Sequence, residues 1–283
     1  MKQPFLWIAR LLGSHRAAMV GAICVCTIVF VAIVGPWVLP HDPFDAGESY
    51  VEPGAQHWLG TDSQGRDLLS RVVSGGRTTL RIALFATLLS TGLGCVIGAI
   101  AGYTGGKIDT LLMRLVDFAM SFPSFLLAMV VVAILGRDVN NVVLAVGIVT
   151  APLFARQVRA EVIRIEAMEY ITAARAIGVP GYRIVISHVL PNCVGPIVVL
   201  ATLMMGTAIL DVAGLTFLGL GGDPYATPEW GLILTQGWQE ISKGTLQVTV
   251  PCLCIFATVL GFNLLGEGVR DQLDPKSKHN RGQ

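Results

Sequence analysis

The side chains of this 283-residue chain best suited to hold a metal or act as nucleophiles are six cysteines and five histidines. Their spacing does not favour that chemistry. Cys24, Cys26, Cys95, Cys252 and Cys254 lie inside apolar runs and Cys193 borders one. They read as small buried hydrophobes, since a disulfide frame or a zinc centre would call for clustered ligands. His15, His41, His57, His188 and His279 are scattered, and no HExxH pair occurs. The nearest approach to a phosphate loop, "GYTGGKI" at 102–108, lacks both the first-glycine spacing and the Ser or Thr after Lys107. The expectation is therefore no catalytic residue, no metal ligand and no ATP or other cofactor site in this chain. One carboxylate stands out, Asp211, because it interrupts the apolar run 193–218. A charge at that depth costs several kcal/mol unless it is paired or wetted. Asp211 thus faces either a wet vestibule or gate, or a partner helix, and both readings stay open.

The elements that must position these residues are set by the solvent the chain is built for. It is 53% hydrophobic and only 14% charged, with a mean hydropathy of +0.66, where soluble domains carry about 25% charged residues. A net charge of +1 gives no basic face for nucleic acid. Membrane lipid is the natural partner. A spanning helix needs about 20 mostly apolar residues, and six segments meet or approach this: 17–39, 82–103, 118–136 (starting near Ile108), 139–155, 193–218 and 248–266. The first is too long for a signal-peptide core and has no convincing cleavage site, so it reads as a retained span. The glycines of the second (Gly92, Gly94, Gly98, Gly102) suit close helix approach. Pro123 falls inside the third, where freed backbone groups require protein or cavity water nearby. The fold class expected is all-α, a polytopic membrane protein of six transmembrane helices.

If the N-terminus is cytoplasmic, fourteen of the 20 Lys and Arg fall on inside segments and six outside. This places both termini and the polar stretch 169–192 in the cytoplasm. Within it, "EYITAARAI" reads as a short helix ended by Gly178 and Pro180, and a second piece runs from Tyr182 to Leu190 before Pro191 returns to the membrane. Ala173, Ala174 and Gly178 would leave one face flat for a protein partner; an ordinary amphipathic interfacial loop is the alternative. On the opposite side, 41–77 reads as a turn at Gly60 to Asp62, a short helix near Asp67 to Val73 stopped by Gly75 and Gly76, and a cap at Thr78 or Thr79 for the second span. An outer helix bearing Leu68, Leu69 and Val72 would lie across the pathway mouth. Asp117 is expected to pair with Arg114 on its own helix, and Trp230 to sit as an interfacial anchor.

"TAARAIGVPGYRIVISHVLP" resembles the EAA loop of binding-protein-dependent ABC importer permeases: Ala173, Ala174, Gly178, Leu190 and Pro191 match in register, while Thr172 stands at the usual Glu and His188 at the usual Ile. "LGTDSQGRDLLSRVVSGGRTTL" (59–80), "FLGLG" (217–221), "PEWG" (228–231) and "GEGVRDQLDP" (266–275) are similar to the C-type permease subunit of the peptide and nickel branch, over about residues 12–275. The resemblance implies a type I ABC importer permease fold in the bacterial inner membrane. It implies a segment 1–16, a first helix 17–39, an outer segment 40–77, a five-helix core 78–272 with coupling loop 161–192, and a tail 273–283. It also implies four kinds of partner: a second homologous permease, two cytoplasmic ATP-binding subunits that hold ATP and magnesium, an extracytoplasmic solute-binding protein, and lipid. ATPase coupling would fall to Thr172, Ala173, Ala174, Arg175, Gly178, Leu190 and Pro191, and Asp211 and Pro123 are candidates for the translocation pathway or gate. Short peptides are the expected solute, carried by alternating access without chemistry in this chain. Nickel or a metal chelate is the alternative solute, and an ATP-independent channel or carrier the alternative class.

Overall fold

The computed structural model describes residues 16–223 and 225–273. Most of the expected terminal segments, with Lys2, Arg10, Lys276, Lys278 and Arg281, therefore lies outside the described residues. Regular structure among the described residues is helical, apart from one isolated antiparallel bridge between Thr61 and Asp67. In order the helices are α1 (Arg16–Val38), α2 (Leu68–Thr104), α3 (Gly106–Met120), α4 (Ser124–Leu135), α5 (Val139–Glu166), α6 (Glu169–Ala176) and α7 (Gly181–Ile184). A π-turn, Val185–Val189, joins α7 to α8 (Leu190–Phe217), followed by α9 (Trp230–Gln239) and α10 (Leu246–Leu273).

Five of these elements are long and apolar enough to cross a membrane: α1, α2, α5, the unit from Gly181 to Phe217, and α10. The expected third span is instead broken. α3 and α4 meet at 91°, because Pro123 stands at the N-cap of α4 in an extended conformation and not within a continuous helix. Counted as one broken span, the pair brings the total to six.

The second span also departs from its expected start. α2 runs 37 residues from Leu68 straight through Gly75 and Gly76, and its cap is Asp67, whose side chain accepts from the Ser70 amide. Neither Thr78 nor Thr79 caps it. The two glycines are not a stop; a Cβ at Gly76 would stand 2.8 Å from the Trp230 ring. Trp230 is correspondingly buried, not interfacial, and its indole donates to Val72 O at 2.8 Å. Leu68 and Val72 belong to the core, so among the described residues the outer helix expected at 67–73 is the first part of α2 and not a separate element.

Helix contact is most extensive between α2 and α5. A Cβ on Gly94, Gly98 or Gly102 would come within 2.2–2.8 Å of α5 atoms at Phe154, Ala155 and Val162, whereas one on Gly92 would meet nothing within 4 Å. Gly94, Gly98 and Gly102 recur every four residues, on one helix face. Gly92 faces away. Two ion pairs lock α3 against the same helix: Asp109 binds Arg159 through two contacts of 2.5 and 2.7 Å, and Asp117 binds Arg156 at 2.6 Å. Among the described residues Asp117 pairs with Arg156 and not with Arg114 as expected, since α5 offers a cation across the helix interface.

The helices alternate between two ends of the bundle. α1 leaves the end that bears α6, since Gly21 and Gly268 touch Gly261 and Ala18 across the α1–α10 interface. α10 starts beside Gly237 at the other end and returns. The start of α1 and the end of α10 thus share the α6 end; residues 39–67 and α9 occupy the opposite one. Of the cysteines, Cys193 is buried, while Cys26 and Cys252 are exposed on the outer surfaces of α1 and α10 and not buried as expected.

Candidate coupling and pathway site

The unit from Glu169 to Pro191 is attached firmly to the bundle by one side only. Ile171 and Ala174 of α6, with Ile184 and Val189, are buried in a cluster that also contains Ala99 of α2, Val158, Val162 and Ile165 of α5 and Cys193 of α8. Leu190 packs at its edge, half-buried. Arg175 ion-pairs with Glu166 at the end of α5 and lies 5.5 Å over the Tyr103 ring. Gly178 closes α6: with φ +82°, its amide donates to Arg175 O and the next amide, Val179, to Ala174 O. This pair of bonds satisfies the last carbonyls of the helix and requires the left-handed conformation that glycine adopts without steric cost.

The predicted coupling residues therefore divide. Thr172, Ala173, Gly178 and Pro191 are exposed, whereas Ala174 faces the bundle and Arg175 engages its own chain. Ala173 and Ala174 do not share a face, because adjacent helical residues stand about 100° apart. The outward surface carries large apolar groups in addition: Ile177 is 81% exposed, Tyr182 65% and Ile186 63%. Pro191 does not break the chain direction. A proline cannot donate to the preceding turn, and the wider π-turn ahead of it lets α7 run on into α8 as one helical unit.

Asp211 is half-buried on α8 and makes no hydrogen bond or ion pair among the described residues. Gly214, three residues on, faces Phe125, two residues past Pro123, with a Cβ there only 2.9 Å from the ring. The two pathway candidates are thus brought to the same side of the bundle. A separate open groove of about 540 Å³ lies between α2 and α5, lined by Arg81, Phe85, Leu89, Asn140 and Leu144 among others.

The opposite end holds a polar knot that the sequence reading missed. Asp62 is 3% exposed and receives both Arg66 and Arg71, themselves buried. Arg66 also donates to Tyr225 O at 3.0 Å. Glu229, fully buried, accepts from Thr79 of α2 and Thr216 of α8 at 2.8 and 2.7 Å and from the Leu232 amide at 3.0 Å as the cap of α9. Four donors and acceptors from three helices converge there. The available signal was an acidic residue directly ahead of a helix, the usual position of a capping side chain. Asp67 is held below the ordinary carboxylate range: burial alone would raise it, but the Ser70 amide and His57 outweigh that.

Residues 94–279, two thirds of the chain, match the family of binding-protein-dependent transport system inner membrane components. The chain belongs to that family. Residues 6–58 match the N-terminal transmembrane domain of oligopeptide transport permease C. Among relatives of this transport family, the dipeptide transport system permease protein DppC of Alkalihalophilus pseudofirmus is 42% identical over 94% of this chain and 88% of its own length. The di/tripeptide transport system permease protein DppC of Pseudomonas aeruginosa is 42% identical over 94% and 90%. The glutathione transport system permease protein GsiD of Escherichia coli is 42% identical over 98% and 92%. The chain is a membrane transport permease, in keeping with its bundle of spanning helices.

Proposed function

We propose that this chain is the permease subunit of an ATP-driven importer that carries short peptides across the bacterial inner membrane. The observation that carries the reading is the unit of α6 and α7: braced on one side by the bundle, it exposes Thr172 and Ala173 of α6, Ile177 at its C-cap and Tyr182 of α7 on the other. Such a braced, apolar-faced helix suits a groove on an ATP-binding subunit, where closure driven by ATP moves it and the buried cluster behind it passes the motion to α2, α5 and α8. Magnesium and ATP then belong to two such subunits. A second permease covers the groove beside Arg81 and Asn140, and a solute-binding protein docks at the opposite end. The relatives transport dipeptides, di/tripeptides and glutathione by name, which favours a peptide over nickel as solute. Asp211 and Pro123 border the path.

Gly178→Asp tests the lever. A Cβ at Gly178 meets nothing within 4 Å in this chain, so the cost to the fold is that of a side chain at φ +82°, about 1–2 kcal/mol, while the change places a charge on the docking face. Uptake of a radiolabelled dipeptide and co-purification of the ATP-binding subunit should both be lost with the permease still in the membrane. Survival of both would remove the lever assignment.

A further inference from the structure

At the end opposite α6, three side chains distant in sequence converge. His41 follows the proline that ends α1, His57 lies in the following loop, and Asp67 caps α2. One ring nitrogen of each histidine and one carboxylate oxygen of Asp67 lie within 4.8 Å of one another. The imidazole centroids are 4.6 Å apart. We propose that His41, His57 and Asp67 form a zinc site on this face of the permease.

The donor set supports this choice. Two imidazoles and a carboxylate match the borderline-soft, nitrogen-and-oxygen preference of Zn²⁺, with water as fourth ligand. His57 Nδ1 and Asp67 Oδ1 are already 2.9 Å apart, close to the separation of about 3.4 Å between tetrahedral ligands bonded at 2.0–2.1 Å. Zinc there takes the place of the Nδ1 hydrogen, and the imidazole carries its hydrogen on Nε2. The other Asp67 oxygen, Oδ2, accepts from the Ser70 amide at 2.8 Å, so it continues to cap α2 while Oδ1 turns to the metal.

The surroundings are arranged as an outer shell. His41 Nε2 lies 2.9 Å from Gln56 O; with that nitrogen donating, the lone pair of the ring is on Nδ1. A backbone carbonyl in this role commonly orients a metal-bound histidine. A small cavity of about 20 Å³, lined by Leu39, Pro40, His41, Gln56, Trp58 and Asp67 among others, has room for about one water. Closing the widest ligand distance from 4.8 Å to about 3.4 Å requires about 1.4 Å of movement, and both histidines are only half-buried. The bound ion would tie the exit of α1, the loop and the start of α2 into one unit. It is a structural ion held by the permease, distinct from any solute, and the site stands whether or not the solute is a peptide.

The test is zinc stoichiometry on the complex purified through this chain, stripped with a chelator and titrated calorimetrically with Zn²⁺ alone. Wild type should bind one equivalent more than the His41→Ala/His57→Ala double variant, a difference that removes background from cysteines and other subunits. His41→Gln alone leaves the His57–Asp67 hydrogen bond in place; it should weaken that equivalent at least about tenfold while keeping the wild-type elution profile. Equal stoichiometry in wild type and double variant would overturn the site, as would undiminished affinity in His41→Gln.

Discussion

Asp211 is the residue whose chemistry is least used by its own chain. It sits on the strip of α8 that includes Thr207, Gly214 and Leu218, none of them buried, and lacks a partner among the described residues. A carboxylate so placed must be solvated by water in a cavity or met by another subunit, because an unpaired charge in hydrocarbon is costly. Asp211→Asn separates the two. In a wet vestibule, water solvates the amide, so assembly and basal ATPase activity should be retained while uptake changes; a contribution of about 1.4 kcal/mol would appear as roughly tenfold in apparent affinity. The comparison is uptake kinetics against co-purification for the same variant. Dissociation of the complex would assign Asp211 to packing, and unaltered kinetics for every solute tried would take it out of the path. The residue was visible in sequence because a single charge in an apolar run contrasts with its surroundings. Glu229 was not, since its burial depends on Thr79 and Thr216, 150 and 13 residues away.

At the scale of elements, spacing carried what is local and lost what is tertiary. The apolar runs located the five helices long and apolar enough to span, though not the break in the third run, and "EYITAARA" with Gly178 gave α6 almost to the residue, because helix propensity and a left-handed closure are properties of adjacent residues. Gly75 and Gly76 were misread as a stop, for their role is to admit the Trp230 ring from far along the chain. Pro123 was placed inside the third span, whereas it stands at the N-cap of α4, where α3 and α4 meet at 91°. The glycines of α2 give a direct test of which close approaches matter. Gly98→Leu forces a side chain into Ala155 O and Val158, whose atoms stand 2.5 and 2.8 Å from the Cβ position, whereas Gly92→Leu enters open space. Overpacking of this kind costs about 1–3 kcal/mol. Gly98→Leu should lower the yield and thermal midpoint of purified permease, with Gly92→Leu close to wild type; equal effects would mean that the α2–α5 contact is not the tight one.

For the whole molecule, the two ends differ in kind, and that difference implies a direction. The α6 end presents a small braced unit with exposed apolar groups and holds the beginning of α1 and the end of α10. The opposite end is a consolidated cap, in which Asp62 gathers two buried arginines and Glu229 joins α2, α8 and α9. Pairing Arg66 and Arg71 with Asp62 neutralises part of the basic charge on that side, which sharpens the bias of Lys and Arg toward the α6 end. The positive-inside tendency predicts that the α6 end faces the cytoplasm and the cap outward, where an arriving solute-binding protein would meet a stiff surface. Single cysteines introduced into a cysteine-free chain check this orientation. Ser187→Cys lies exposed beyond α7 and Gln64→Cys lies exposed in the cap. An impermeant maleimide applied to intact cells should label Gln64→Cys and leave Ser187→Cys unmodified until the membrane is opened. The reverse pattern would turn the molecule over and detach α6 from any cytoplasmic motor, since ATP-driven closure can reach the bundle only from the side on which the braced helix is exposed.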